Sequence, residues 1–180
     1  MLSPSDAPSG EAPLRGCGEY LVVTMRVRRD RLFPRAVRLL RDLGARLDYV
    51  DEEQRRIAAD VPASRLGELA RLAGEYGDYA SVTVKASCRA DPGALEAMLR
   101  GLGFSRASRG PALVLLGVWE GRVVEAEIRG SRARFKVGAR VRGRPRPPLP
   151  PGLYTLAVEE AGEALEALRD LLARLGGRRV

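Results

Sequence analysis

Along the first half of the chain, segments in which apolar and polar side chains alternate are interspersed with segments in which apolar side chains recur every three or four residues. Residues 20–28 (YLVVTMRVR) alternate between two faces and are rich in β-branched types, which predicts a strand. Asp30 then stands at the N-cap of a predicted helix that ends at Gly44. The segments that follow are strands at 45–50 and 56–61, a helix after Pro62 that ends at Gly77, and a strand at 79–87. A chain with this order buries its apolar faces by forming a sheet that helices cover.

This β-α-β-β-α-β order is that of the split-βαβ, ferredoxin-like arrangement. Residues 17–90 are therefore assigned to a ferredoxin-like α+β domain, and the Pro/Ser/Gly/Ala-rich residues 1–16 to a flexible tail. In this arrangement the first and fourth strands are antiparallel neighbours. Cys17 precedes the first strand and Cys88 follows the fourth, so the two could form a disulfide; the alternative is a pair of buried thiols.

The second half predicts a further α+β domain over residues 91–180. Asp91 and Pro92 suit the start of a helix, and Glu120-Gly121 and Gly130-Ser131 suit the tight turns of a meander. The predicted elements are a helix at 91–103, strands at 112–118, 122–129, 132–141 and 153–158, a proline-rich segment at 144–152 and a helix at 161–175. If the strand at 79–87 also belongs to this half, its order resembles one repeat of the TATA-binding-protein fold. The predicted fold class is α+β, with a ferredoxin-like lobe followed by a lobe in which helices flank an antiparallel meander sheet.

Positive charge is concentrated in one quarter of the chain. The chain has 31 Lys+Arg residues, 23 Asp+Glu residues and a formal charge of +8. Residues 100–150 hold 12 basic and 3 acidic residues, and residues 129–146 hold eight basic residues and no acidic one. From Arg132 to Arg144 every second residue is arginine, lysine or glycine. One face of the predicted strand is therefore cationic for about 20 Å.

This cationic strand is interpreted as a nucleic-acid-binding surface that contacts the phosphate backbone, with RNA slightly favoured over DNA. Arginine forks suit phosphate oxygens, whereas aromatic residues that could stack on bases are scarce. The predicted contacts are Arg129, Arg132, Lys136, Arg140, Arg142, Arg144 and Arg146.

The alternative for the same strand is a solvated sheet edge, because charged edges discourage sheet-to-sheet pairing. A two-residue turn at Gly130-Ser131 also predicts three cross-strand pairs. These pairs are Arg129 with Arg132, Glu127 with Arg134, and Glu125 with Lys136. The last two would neutralise part of the charge.

The composition excludes several kinds of catalytic site. There is no histidine, so neither a Ser-His nor a Cys-His nucleophile pair can form. Two cysteines cannot by themselves hold a four-ligand metal site. We therefore expect no enzymatic activity, no cofactor and no metal.

Three other functions are left open by the sequence. The polar face of the first sheet, or the leucine stripe of the last helix, could contact a protein partner or a second copy in a larger assembly. An ACT-like regulatory domain that binds a small molecule shares the order of the first lobe. A phosphate-handling enzyme would have to use arginines and carboxylates alone. The polar face includes Tyr20 and Lys85, but it lacks the aromatic residues of an RNA-recognition motif.

Residue usage also indicates a source and a location. Arginine outnumbers lysine by 29 to 2 and asparagine is absent, as expected from a GC-rich genome. Scarcity of thermolabile Asn, Gln, Cys and Met is typical of thermophiles. No stretch approaches about 18 consecutive apolar residues, so no membrane span is predicted. Residues 1–16 have no apolar core of a signal peptide, and the predicted location is the cytoplasm.

Overall fold

Helices pack on a large antiparallel sheet in this α+β protein. The computed structural model describes residues 12–108 and 110–176. The strands within them are β1 (Leu14–Val27), β2 (Arg46–Asp51), β3 (Arg56–Pro62), β4 (Gly77–Ala90), β5 (Ser105–Arg106), β6 (Leu113–Trp119), β7 (Arg122–Arg129), β8 (Arg132–Arg140) and β9 (Leu156–Ala157). The helices are α1 (Phe33–Asp42), α2 (Leu66–Tyr76), α3 (Pro92–Gly101) and α4 (Val158–Gly176).

The first half has the strand order β2-β3-β1-β4, and β1 runs antiparallel to both of its neighbours. This confirms the predicted ferredoxin-like order. Alternate residues of β1, from Leu21 to Val27, are buried, while Thr24 and Arg26 between them are exposed. One face of the sheet is therefore the core face, and we call the other the open face.

A disulfide joins Cys17 and Cys88, which are 71 residues apart in the sequence. The bond lies where β1 and β4 pair, beside an irregularity of register between Arg15 and Gly18. It therefore ties the beginning of β1 to the end of β4.

The two halves of the chain share one sheet. β4 pairs with β8, and the full order is β2-β3-β1-β4-β8-β7-β6-β5, with β9 also paired to β4. Both predicted hairpin turns are present, because Trp119 lies opposite Arg122 and Arg129 lies opposite Arg132. The positive φ angles of Glu120 and Gly121 are those that a type I′ turn requires. The domain boundaries at 17–90 and 91–180 stay a prediction.

The helices cover the core face. α4 packs against β1, β4 and β8 and also contacts α2 and α3. Its predicted leucine stripe is buried, at Leu165, Leu168, Leu172 and Leu175. The Asp91 carboxylate accepts a hydrogen bond from the amide of Ala94 at 3.3 Å, as expected of the N-cap of α3. None of the described helices is long and apolar enough to cross a membrane.

Among the differences from the predicted bounds, two change the fold locally, one at the start of β1 and one in the predicted strand 153–158. β1 begins at Leu14, inside the predicted tail 1–16, because Leu14 pairs with Ala90 and is buried. Residues 1–11 of that tail lie outside the described residues. The predicted strand 153–158 is reduced to β9, since residues 151–154 form a 3-10 turn that prolines introduce.

The double substitution Cys17→Ser/Cys88→Ser should lower the free energy of unfolding by about 4 kcal/mol, because the disulfide closes a long loop in the unfolded chain. Urea unfolding monitored by circular dichroism measures the change. Reducing agent should produce the same loss in the wild-type protein and none in the double variant. Equal unfolding midpoints for oxidised wild type and variant would contradict this expectation.

Candidate ligand-binding groove

A row of polar side chains crosses the centre of the open face. Tyr20 on β1 lies opposite Lys85 on β4, and Lys85 lies opposite Lys136 on β8. Glu125 on β7 completes the row beside Lys136. The chain has only two lysines, so the β4–β8 pairing brings both of them together. Directly opposite residues on one face lie about 5 Å apart at Cβ.

A proline-rich segment, residues 147–155, passes over this row, and we call it the strap. Gly138 on β8 lets the strap approach the sheet: a Cβ there would collide with the carbonyl group of Leu153 and lie 2.8 Å from Cγ1 of Val123. Val123 and Tyr154 are buried beneath this contact. The strap therefore forms a roof whose floor is the open face.

Tyr154 fastens the strap to the floor. Its hydroxyl donates a hydrogen bond to Glu125 at 3.3 Å, and the Nζ of Lys136 lies 4.4 Å from the centre of its ring. Lys136 also forms an ion pair with Glu125 at 3.6 Å. Burial, and then the Glu125 carboxylate, raise the pKa of Tyr154 well above its ordinary value. The phenol therefore stays protonated and acts as a hydrogen-bond donor.

Lys85 is the cation of the floor that has no partner among residues 12–108 and 110–176. It faces a groove of about 470 Å³, within the range usual for small-molecule sites. The groove is lined by Thr83, Lys85, Ala107, Val114, Leu116, Glu125, Lys136, Pro147, Leu149, Pro150, Pro151, Tyr154 and Thr155. Seven of these thirteen residues are apolar, and the charged ones, Lys85, Glu125 and Lys136, all lie on the floor.

The groove is equipped to bind an anion. Glu125 is already engaged by Lys136 and Tyr154, which leaves the Lys85 ammonium to attract a carboxylate or phosphate. In the described part of the chain, no three Cys, Asp or Glu side chains are grouped so that they could hold a metal ion.

The residues predicted to bind nucleic acid do not all lie on one surface. Lys136, Arg129 and Arg132 share the open face, with Lys136 in the groove floor and the two arginines at the β7–β8 turn. Arg140 is at the far end of β8, where it binds α4. The others, Arg142, Arg144 and Arg146, follow β8 in the segment that leads to the strap.

The alternative expectation of a solvated edge is also wrong for β8, because β8 lies between β4 and β7. The predicted cross-strand register of β7 and β8 is confirmed at all three pairs. The ion pair between Glu125 and Lys136 is present, but Glu127 pairs with Arg129 at 3.5 Å instead of with Arg134.

Arg140 and the buried Arg122 share an acid on α4. The Nη2 of Arg140 is 2.9 Å from Oε1 of Glu163, and the Nη2 of Arg122 is 3.2 Å from the same oxygen. Arg122 is 2% exposed and also donates to the carbonyl group of Gly138 at 3.1 Å. Arg122 therefore ties β7 and β8 to a helix from a buried position, and the exposed Arg140 pairs with the same acid.

Comparison with known proteins gives a structural likeness and no sequence family. No protein-family model matches the chain, and no curated protein matches it. The chain is similar to two crystal structures of the regulatory subunit of aspartate kinase, a ligand-free form from Thermus thermophilus and one from Thermus flavus. Each is 13% identical with a TM-score of 0.26; the alignments cover 88% and 89% of this chain and 97% and 99% of those chains.

The function predicted from the sequence, RNA or DNA backbone binding through an arginine-rich strand, is wrong. The geometry supplies the physical reason, since the fold separates the predicted contacts and uses Arg140 and Lys136 in internal ion pairs. A continuous cationic face of about 20 Å, the basis of that prediction, is interrupted at Gly138 under the strap.

Sequence reasoning missed Lys85, Glu125 and Tyr154 as members of one site. Lys85 was placed on the open face, but its partner strand lies in the other half of the chain. The signal that could have found the site is the use of lysine at only two positions in a chain with 29 arginines.

Replacing Gly138 by alanine should detach the strap, because the new methyl group would occupy the space of the Leu153 carbonyl. We expect a loss of about 1–3 kcal/mol in the free energy of unfolding. The pKa of Tyr154 should fall toward its ordinary value as burial is lost, and ultraviolet titration of tyrosine measures this. Gly143→Ala is the matched control, since a Cβ there meets nothing within 4 Å. Equal tyrosine titrations in the two variants would contradict the role of Gly138.

Glu163→Gln should make stability less dependent on pH. Hydrogen bonds from Arg140, and then from Arg122, hold the pKa of Glu163 below its ordinary value of 4.5. The carboxylate therefore stabilises the fold above that pH, and its contribution is lost as the pH falls through the folded-state pKa. The difference in unfolding free energy between wild type and Glu163→Gln should shrink between pH 6 and pH 3. Glu159→Gln, on the same helix, is the control, and an equal effect there would refute the assignment.

Proposed function

We propose that this protein is a non-catalytic, small-molecule-binding protein of regulatory type, and that its ligand is a small organic anion held between the open face and the strap. The observation that carries the proposal is the ammonium group of Lys85, which lies in the floor of a roofed groove and has no partner among the described residues. A cation without an acid beside another lysine is unfavourable for the fold alone, since like charges directly opposite destabilise a sheet. A bound anion removes this repulsion.

The walls of the groove define the rest of the ligand. Val114 and Leu116 on β6, with Leu149 and the prolines of the strap, provide apolar contacts. The hydroxyl groups of Thr83 and Thr155 add neutral hydrogen-bonding groups at the floor and the roof. We infer a ligand with one carboxylate or phosphate group and a compact apolar body.

The absence of catalysis is part of the proposal. Tyr154 is kept protonated, and Glu125 accepts from Tyr154 and pairs with Lys136. Both groups are thereby engaged in holding the strap, whereas a general base must be free to accept a proton from a substrate.

The strap gives ligand binding a structural consequence. It links β8 to β9 and α4, and its attachment at Tyr154 uses the same floor that the ligand occupies. A ligand that contacts both floor and strap stabilises the closed arrangement by its differential affinity for it. Such coupling is what a regulatory domain requires.

This groove provides no evidence on a protein partner, a homodimer or a cytoplasmic location. All three stay predictions. A disulfide in a cytoplasmic protein is a feature of hyperthermophiles, which agrees with the thermophilic source predicted from composition.

Thermal unfolding and calorimetry with a panel of butyrate, isocaproate, benzoate and phenylphosphate test the proposal. At least one of these anions should raise the unfolding temperature of the wild-type protein, as any ligand that binds only the folded state does. The uncharged amides of the three carboxylic acids should have no effect.

Lys85→Gln should weaken binding about tenfold or more, because it removes a charge-assisted hydrogen bond. Arg38→Gln, an exposed change on α1 with the same loss of charge, is the matched control and should bind as wild type does. Undiminished affinity in Lys85→Gln, or no binding of any anion by the wild type, would overturn the proposal.

A further inference from the structure

A second row of cations crosses the open face near the β7–β8 turn. Arg89 on β4 lies opposite Arg132 on β8, and Arg132 lies opposite Arg129 on β7. On its other side, Arg89 lies opposite Arg15 on β1. We call Arg89, Arg132 and Arg129 the arginine row. With strands about 4.8 Å apart, it spans about 10 Å across the sheet.

The described part of the chain does not neutralise this row. Arg89 and Arg132 make no ion pair or hydrogen bond through their side chains with any described residue. Arg134, two residues further along β8, is likewise unpaired within the described residues. The carboxylate of Glu127 lies 3.5 Å from Arg129, and Arg129 is 71% exposed. An ion pair so exposed contributes little.

Local structure offers no reason for three arginines in register. Like charges directly opposite each other destabilise a sheet, and β-branched residues would be better strand formers there. The disulfide already ties β1 to β4 at this level, so the arginines are not needed to hold the strands together. Their arrangement therefore calls for a counter-charge that residues 12–108 and 110–176 do not supply.

The space beside two members of the row, Arg129 and Arg132, is concave. Glu127, Arg129, Arg132 and Arg134 line a hollow of about 440 Å³. Guanidinium groups donate paired N–H bonds that match the oxygens of phosphate and carboxylate groups. A ligand that satisfies three of them must carry several negative charges within about 10 Å.

We propose that the arginine row is a second anion site, separate from the groove under the strap, which binds a compact oxyanion with three or more negative charges. Each anionic group lies against one arginine, with Arg134 closing the side of the hollow. The short length of the row selects a compact ligand. The same chemistry is offered by an oligophosphate and by a polycarboxylate.

Isothermal titration calorimetry with inorganic tripolyphosphate and with citrate, at constant ionic strength, tests the site and distinguishes the two sources. The wild-type protein should bind one of these anions with an affinity that falls as salt increases. Arg89→Gln and Arg132→Gln should each weaken binding about tenfold or more. Both variants should unfold at the wild-type temperature or higher, because each removes a like charge.

Two control variants make the outcome decisive. Arg142→Gln removes the same charge outside the row and should bind as wild type does. Lys85→Gln alters the groove and should also leave tripolyphosphate or citrate binding unchanged, so that failure of the groove proposal and failure of this one are distinguishable. No binding by the wild type, or an equal loss in Arg132→Gln and Arg142→Gln, would overturn the proposal.

Discussion

The pairing of β4 with β8 is the interaction on which the rest of the structure depends. It joins a ferredoxin-like half to a meander and makes one sheet of both. The same register sets Lys85 beside Lys136 and Arg89 beside Arg132. Because opposite residues of an antiparallel pair share a face, a slip of one residue would move these cations onto the core face. The burial of Ala133, Phe135 and Val137 under α4 prevents such a slip, so packing on one face of β8 fixes the chemistry of the other.

Local signals in the sequence were sufficient to predict most helices and strands, the tight turns, and the contacts between residues that are close together in the chain. The alternation in β1, the Asp91 cap and the two-residue turns at Gly121 and Gly130 are decided within a few residues, and each appears in the structure. The ferredoxin-like order then placed Cys17 near Cys88, which are joined by a disulfide. The partner of β8 could not be obtained in this way. Its pairing with β4 joins strands more than 40 residues apart, and one sequence contains no period that reports it.

The site was missed for the same reason. Charge density along the chain made residues 129–146 look like a single cationic surface. The fold divides these residues among different contacts. Glu163 of α4 pairs with Arg140, and Tyr154 of the strap contacts Lys136, and both partners are far from β8 in sequence. The strap itself depends on the absence of a side chain at Gly138, which reads in the sequence only as a gap in the arginine pattern. Gly138, which appears in the sequence to interrupt a binding face, is the residue over which the strap contacts the sheet.

The basic side chains of this protein have three different roles, and each role depends on the acidic side chains nearby. Arg122 is buried and shares Glu163 with Arg140, so its charge holds β7 and β8 to α4. Lys136 is balanced by Glu125 and covered by Tyr154, so its charge fastens the strap. Lys85 and Arg132 face the same open surface without an acid from the described residues. An unbalanced cation that the fold holds in register beside another cation contributes nothing to folding that a neutral residue could not provide. The arrangement is explained if the open face binds anions at its two uncompensated levels, as we propose.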